Sequence, residues 1–139
     1  MGVSIYCGKQ PSMDMSYSTF DRWRVHLAYA LNENFGEAYN NWMFSGSLYK
    51  EEDIYIINKC FEVVCNNTPE LTQELFDFFT MSECEGKINS ETSKQLLPLI
   101  ERLGNDYKIG YLGTCPYNKE YVINFFEHSV RYNANVYWN

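Results

Sequence analysis

The chain is expected to fold as a mainly α protein, a single compact domain over residues 1–139, with five to six helices and a small two-stranded β ribbon formed by the N- and C-terminal strands. Three observations predict this. Apolar residues recur at helical spacing through most of the chain; helix start and stop signals bracket those stretches; and the two β-prone segments lie at opposite ends, where the simplest use for each is to pair with the other. A chain of 139 residues is also long enough to bury one hydrophobic core without disulfide or metal staples.

The elements follow in order. Val3-Ser4-Ile5-Tyr6-Cys7 is β-prone with period-2 character and ends at Gly8, so it reads as a strand, and residues 8–17 read as a loop around Pro11. Ser18 with Asp21 three residues on forms a variant capping box, opening a helix to about Asn34 that carries Phe20, Trp23, Leu27, Ala30 and Leu31 on one face, with Gly36 after its end. A brief helix is expected over Glu37–Phe44, and Ser45-Gly46-Ser47 breaks it. From Glu51 to Cys65 the apolar arc covers more than half the helical circumference, which predicts a helix central to the core.

Thr68-Pro69 is an N-cap followed by Pro at the first helical position, and Leu71, Leu75, Phe78 and Phe79 supply the buried stripe of the helix it starts. Ser90 caps the next helix, which runs to about Leu103. Pro98 inside it predicts a kink or a break, because proline removes one intrahelical bond and crowds the preceding turn. Residues 104–118 read as a loop with a little strand in Lys108–Leu112. Asn118 caps a last helix bearing Val122, Phe125, Phe126 and Ser129, with Glu127 and Arg131 paired outside, and Val136-Tyr137-Trp138 closes the chain as a strand.

No run of 18 apolar residues predicts a membrane-spanning helix, and the first residues lack the basic and apolar regions of a signal peptide, so a cytoplasmic protein is expected with no membrane contact. Five cysteines, an odd number without an export signal, read as free and mostly buried thiols. Aromatics reach 17% with twelve Tyr. The accompanying wealth of residues encoded by AT-rich codons points to a low-GC bacterium or one of its phages more than to an interface.

Catalytic and cofactor patterns are missing. Cys60 and Cys65 are the one close cysteine pair, and on a helix they point about 140° apart, too far to share a zinc ion. Cys84 lies between Glu83 and Glu85, whose charges disfavour a thiolate. His26 shares a surface stripe with Arg22, Tyr29 and Glu33, and His128 borders the apolar face of the last helix; both read as solvated or capping side chains. No Gly-rich phosphate loop occurs, and no cofactor is expected.

The stretch Phe76 to Leu97, a Phe-rich helix leading through Glu83-Cys84-Glu85-Gly86-Lys87-Ile88 into a second helix, resembles an EF-hand. With Gly86 on the sixth loop position and Ile88 on the eighth, the resemblance places Glu83 and Glu85 on the third and fifth ligand positions. Met81 and Thr92 then occupy the first and the twelfth, where calcium requires oxygen ligands and a bidentate Glu. The segment therefore reads as a turn between helices with no metal, Gly86 supplying a positive φ.

Charge is the remaining signal. Residues 1–50 carry four acids and four bases, 51–91 ten acids and two bases, and 92–139 four acids and five bases, so the net −7 belongs to the middle of the chain. Such acidity argues against nucleic-acid binding. Glu70, Glu74, Asp77 and Met81 are expected to form a ridge on one helix, and Glu51, Tyr55 and Glu62 the polar face of the helix before it, with Tyr55 and Met81 as apolar anchors. These seven residues are the candidate partner-binding site. The reading is a non-enzymatic acidic protein-binding module, an inhibitor, immunity or phage or mobile-element counter-defence factor covering a basic surface of another protein. The competing classes are a small enzyme using a Cys or His, and a structural subunit of a larger assembly.

Overall fold

The computed structural model describes residues 2–45, 50–109 and 117–139. Strand β1 (Gly2–Cys7) buries Val3, Ile5 and Cys7, turns at Gly8 with φ 57°, and pairs antiparallel with β2 (Met13–Ser16), Val3 opposite Met15 and Ile5 opposite Met13. The expected loop over 8–17 thus contains a strand. Met13 and Met15 point to the core while Asp14 points out, where it accepts hydrogen bonds from Ser4 (2.6 Å) and Ser12 (3.2 Å).

Helix α1 (Tyr17–Leu31) starts earlier than expected, because Ser16 rather than Ser18 accepts the capping bond, from the Thr19 amide at 3.1 Å. It stops at Asn32, whose extended backbone (φ −165°, ψ 130°) turns the chain and whose Oδ1 caps α2 (Glu33–Met43) by accepting from the Phe35 amide at 3.0 Å. Gly36 therefore lies inside the second helix and not after the first. It is buried where α2 meets α1, so close that a Cβ there would stand 2.5 Å from Cγ and 2.6 Å from Cα of Tyr29.

Helix α3 (Glu51–Asn66) is closed by Thr68, whose hydroxyl donates to the Val64 carbonyl at 2.7 Å. With Thr68 so used, α4 (Gln73–Thr80) begins later than expected, capped by Thr72. Strand β3 (Gly86–Ile88) leads to α5 (Ser90–Glu101), capped by Asn89 through the Thr92 amide. Pro98 leaves α5 in one piece. It sits exposed in the last turn, with few residues beyond it to displace.

Strands β4 (Lys108–Ile109) and β5 (Tyr117–Asn118) pair with each other, and Asn118 caps α6 (Lys119–Tyr132) as expected, with Val122, Phe125, Phe126 and Ser129 buried. The expected Glu127–Arg131 ion pair does not form; the Arg131 guanidinium lies over the Tyr132 ring at 5.5 Å. The expected strand at 110–112 and the expected break at Gly46 and Ser47 lie outside the described residues.

Strand β6 (Val136–Trp138) pairs with β1, so the N- and C-terminal strands do meet, but the sheet has four strands in the order β2-β1-β6-β3, not two. The added strand β3 is held by Trp138. Its indole donates to the Ser82 carbonyl at 2.9 Å, and it leaves no room for a side chain at Gly86, where a Cβ would come 2.2 Å from the ring. Gly86 thus serves close approach, not the positive φ expected of it.

The six helices of the described residues pack with this sheet around an aromatic core in which Trp23 meets Phe20, Phe78 and Phe126, and Phe35, Tyr39 and Phe79 join α2 to α4. Arg24 is buried in the same layer. One guanidinium nitrogen donates to the carbonyls of Phe78 (3.2 Å) and Met81 (2.7 Å), the other pairs with Asp21 at 3.1 Å, and Nε has no partner among the described residues. The cation thereby caps the C-terminal end of α4, where carbonyls lack helical donors.

Helix α3 departs most from expectation. Of its wide apolar arc only Phe61 is buried, stacked on Trp42 of α2 at 4.7 Å, while Ile56 and Val63 are 58% and 57% exposed. Its extensive packing among the described elements is with α2 alone, so α3 forms an outer layer rather than the centre.

A groove between two acidic helices

Positions 56, 60 and 63 recur at i, i+4 and i+7, so Ile56, Cys60 and Val63 form one exposed stripe along α3, separate from the stripe that Phe61 buries. Across from it α2 presents Asn34, Ala38 and Asn41 at the same spacing. Between α2 and the part of α3 from Cys60 to Asn67 lies a groove of about 400 Å³, floored by Ala38 and Val64 and ended by Asn67 and Thr68, with Ile56 one turn beyond it. Its lining contains one carboxylate, Glu37, and no base among the described residues. The walls continue this bias: α2 carries Glu33 and Glu37 without a base, and α3 carries Glu51, Glu52, Asp53 and Glu62 against Lys59 alone.

Each expected site residue has a definite place. Glu51, Tyr55 and Glu62 fall together on an exposed face of α3, beside the apolar stripe. Tyr55 is 65% exposed, and Lys59 reaches both its ring (5.8 Å) and Glu62 (3.6 Å), which partly neutralises this face. Glu70 precedes α4 instead of sharing a face with it, and accepts a hydrogen bond from Asn32 at 3.2 Å, which brings it to the end of the groove. Glu74 is half-buried and Asp77 exposed, the latter accepting from Gln73 at 2.8 Å. Met81 is half-buried against the core with its carbonyl bound by Arg24. The continuous ridge from Glu70 to Met81 is therefore broken, because it needs a helix running from Pro69.

Three of the groups considered for catalysis, His26, His128 and Cys7, have neighbours of their own. His26 is part-buried, not solvated: its Nδ1 meets the Tyr107 hydroxyl at 2.7 Å, and burial, helped by Arg22, holds its pKa below the ordinary value. Burial also pushes the Tyr107 phenol up to about 12. His128 packs on the Tyr132 ring at 4.6 Å, beside a polar concavity that also includes Gln10, Asn124 and Arg131. Cys7 is the one buried thiol of the four described; burial raises its pKa, and its hydrogen bonds, which act in the opposite direction, are to Gln10 and Ser129. Cys60 and Cys84 are exposed and Cys65 is half-buried, its pKa pushed up by burial to about 11, so the thiols are not mostly buried as expected; Cys115 lies outside the described residues.

The EF-hand resemblance does not extend to the backbone. Residues 86–88 are a strand in the sheet, and Thr92 is buried in the first turn of α5. Among the described residues no three His, Cys, Asp or Glu side chains gather as a metal site, and no helix is long and apolar enough to cross a membrane. No family model, no curated protein and no solved structure matches this chain.

Proposed function

We propose that this chain is a non-enzymatic protein-binding module that uses the acidic surface of α3 and the α3–α4 connection to cover a basic surface of another protein, in the manner of an inhibitor, immunity or counter-defence factor. One observation carries the reading. Helix α3 holds Ile56 and Val63 in water, at 58% and 57% exposure, on a helix with four carboxylates and one lysine. Exposed aliphatic side chains framed by charges of one sign suit a surface on which apolar contact supplies the affinity and carboxylates steer the approach. Glu62 and Glu70 flank this surface, and Tyr55 is an apolar anchor beside it.

The test is affinity capture at low ionic strength, followed by measurement of the partner's binding to the wild type and to the double variant Glu62→Lys, Glu70→Lys. Binding should weaken steeply with added salt, and the variant should slow association by about tenfold or more. A partner that binds the variant at the wild-type rate, with the same salt dependence, would refute the role assigned to the carboxylates.

A further inference from the structure

We infer that the groove between α2 and α3 is the receptor for a single basic amphipathic α-helix of the partner; this rests on the acidic-module reading and adds the place and the shape of the ligand. Three features argue for it. First, the two walls repeat over the same length: Cys60 to Asn67 on α3 and its C-cap and Asn34 to Asn41 on α2 each span seven residues, about two helical turns or 10 Å. A helix laid between them meets both at i, i+4 and i+7, the spacing by which helix-in-groove complexes are read.

Second, both walls are helices whose backbone groups are bonded within themselves. No strand edge is offered, so an extended segment would leave its own amides and carbonyls unpaired as it displaced water. A helix arrives with those groups already satisfied. Val63 and Val64 in the groove, and the bare Ile56 side chain about two turns before Val63, then receive its apolar face, and the amides of Asn34 and Asn41 face its polar margin.

Third, charge selects among helices. Six carboxylates stand on α2 and α3 against Lys59, which already pairs with Glu62 at 3.6 Å. A second copy of α3 would bring a matching set of carboxylates against them, and like charges disfavour that pairing. A helix with Lys or Arg flanking its apolar stripe places opposite charges against Glu37 in the groove and Glu70 beside Asn32 at its end instead.

The test uses the intact protein and three synthetic peptides of one length: a helix former with Leu at i, i+3, i+4 and i+7 and Lys on the remaining faces; a scramble of the same composition without amphipathic spacing; and the helix former with Glu in place of Lys. Fluorescence anisotropy should show the first bound at least about tenfold more tightly than either other. Circular dichroism should show it gaining helix on binding, and amide shifts should map to residues 34–41 and 56–67. Ile56→Glu/Val63→Glu should lose that preference even though it adds negative charge, which separates apolar docking from plain attraction. Asn41→Arg, on the opposite wall, should lose it independently, and all three substituted positions are exposed, so the fold is retained.

Equal binding of the amphipathic and scrambled peptides would overturn the groove while leaving the acidic-module reading intact. Failure of both basic peptides to bind at low salt would sink the two together. A wild-type dimer in sedimentation, dissociated by Val63→Glu, would overturn the inference in favour of a second copy.

Discussion

Gly36→Ala sets two familiar effects against each other, and the structure decides the sign. In the interior of a helix the change from Gly to Ala favours folding by about 1 kcal/mol. Here the new Cβ would stand 2.5 Å from Cγ and 2.6 Å from Cα of Tyr29, where carbon atoms that touch prefer about 3.5–4.0 Å. Rotating the Tyr29 ring relieves the first overlap but not the second, which is with backbone. The helices must then separate by about 1 Å, a gap that forfeits a quarter to a half of each dispersion interaction across it. The link between them is Asn32 alone, bonded to the Phe35 amide at 3.0 Å and through its carbonyl to the Gly36 amide at 2.8 Å, so α2 has no slack for moving away.

Overpacking of this kind costs about 1–3 kcal/mol, and collision with backbone puts it at the upper end. The net is a destabilisation of about 1–2 kcal/mol, or a fall in Tm of about 3–8 °C. Urea unfolding followed by tryptophan fluorescence reads it directly, since Trp23 and Trp138 are both buried. Gly36→Ala in a Tyr29→Ala background should keep most of the loss, because the overlap with the main chain at position 29 remains. A midpoint at or above that of the parent, in either background, would refute the packing argument and leave helix propensity in control.

Replacing Arg24 by Met leaves Asp21 and the carbonyls at the end of α4 without their donor. A loss of about 3–5 kcal/mol is expected in urea unfolding, and less for the double variant Asp21→Asn/Arg24→Met; a loss no larger than that of an exposed substitution would contradict the capping role. His26 has its folded pKa below the ordinary 6.5, so the unfolded chain binds its proton more readily, and stability is lost as pH falls through about 6.5. The urea midpoint should therefore decline on acidification through that window, and a His26→Gln variant should show a flatter decline; equal slopes would remove His26 as the cause. Phe61→Ala should cost about 3–5 kcal/mol while Val63→Ser, two residues on, should stay within about 0.5 kcal/mol, and similar losses at the two positions would place α3 inside the core after all.

The helices are legible in the sequence because their signals are local. Asn118 as a cap and Val122, Phe125, Phe126 and Ser129 as a buried face follow from spacing within one turn or two. Strand β2 also carries a local signal, Met-Asp-Met-Ser alternating in and out, masked by Pro11 and the serines around it. Strand β3 is three residues long, and its pairing depends on Trp138, about fifty residues away. Arg24 sits on the apolar face of α1, one turn from Phe20 and three residues from Leu27, and only the fold brings the carbonyls of Phe78 and Met81 to it.

The site is legible in part for the same reason. Sequence places Glu51, Tyr55 and Glu62 on one face of a helix, and the helix is there. It cannot tell an apolar residue facing the core from one facing an open groove, since Ile56 and Phe61 prefer burial alike. The breadth of the apolar arc on α3 is therefore no measure of depth, because its Ile56–Val63 side is open to water. The ridge at Glu70 fails on a single hydrogen bond, that of the Thr68 hydroxyl to Val64, which commits the residue to ending one helix instead of beginning the next.

The place of β6 in the sheet bears on the order of events during synthesis. Val136–Trp138 lies between β1 and β3, and β3 has no other strand partner among the described residues. A ribosome emits these three residues after both strands they unite, so the four-stranded sheet cannot close until β6 emerges. Loop closure across that separation is slow, and the intermediate leaves a strand edge of β1 open. A chain that lacked Val136–Trp138 would leave that edge open to association with other chains and the hydrophobic layer under Trp138 uncovered.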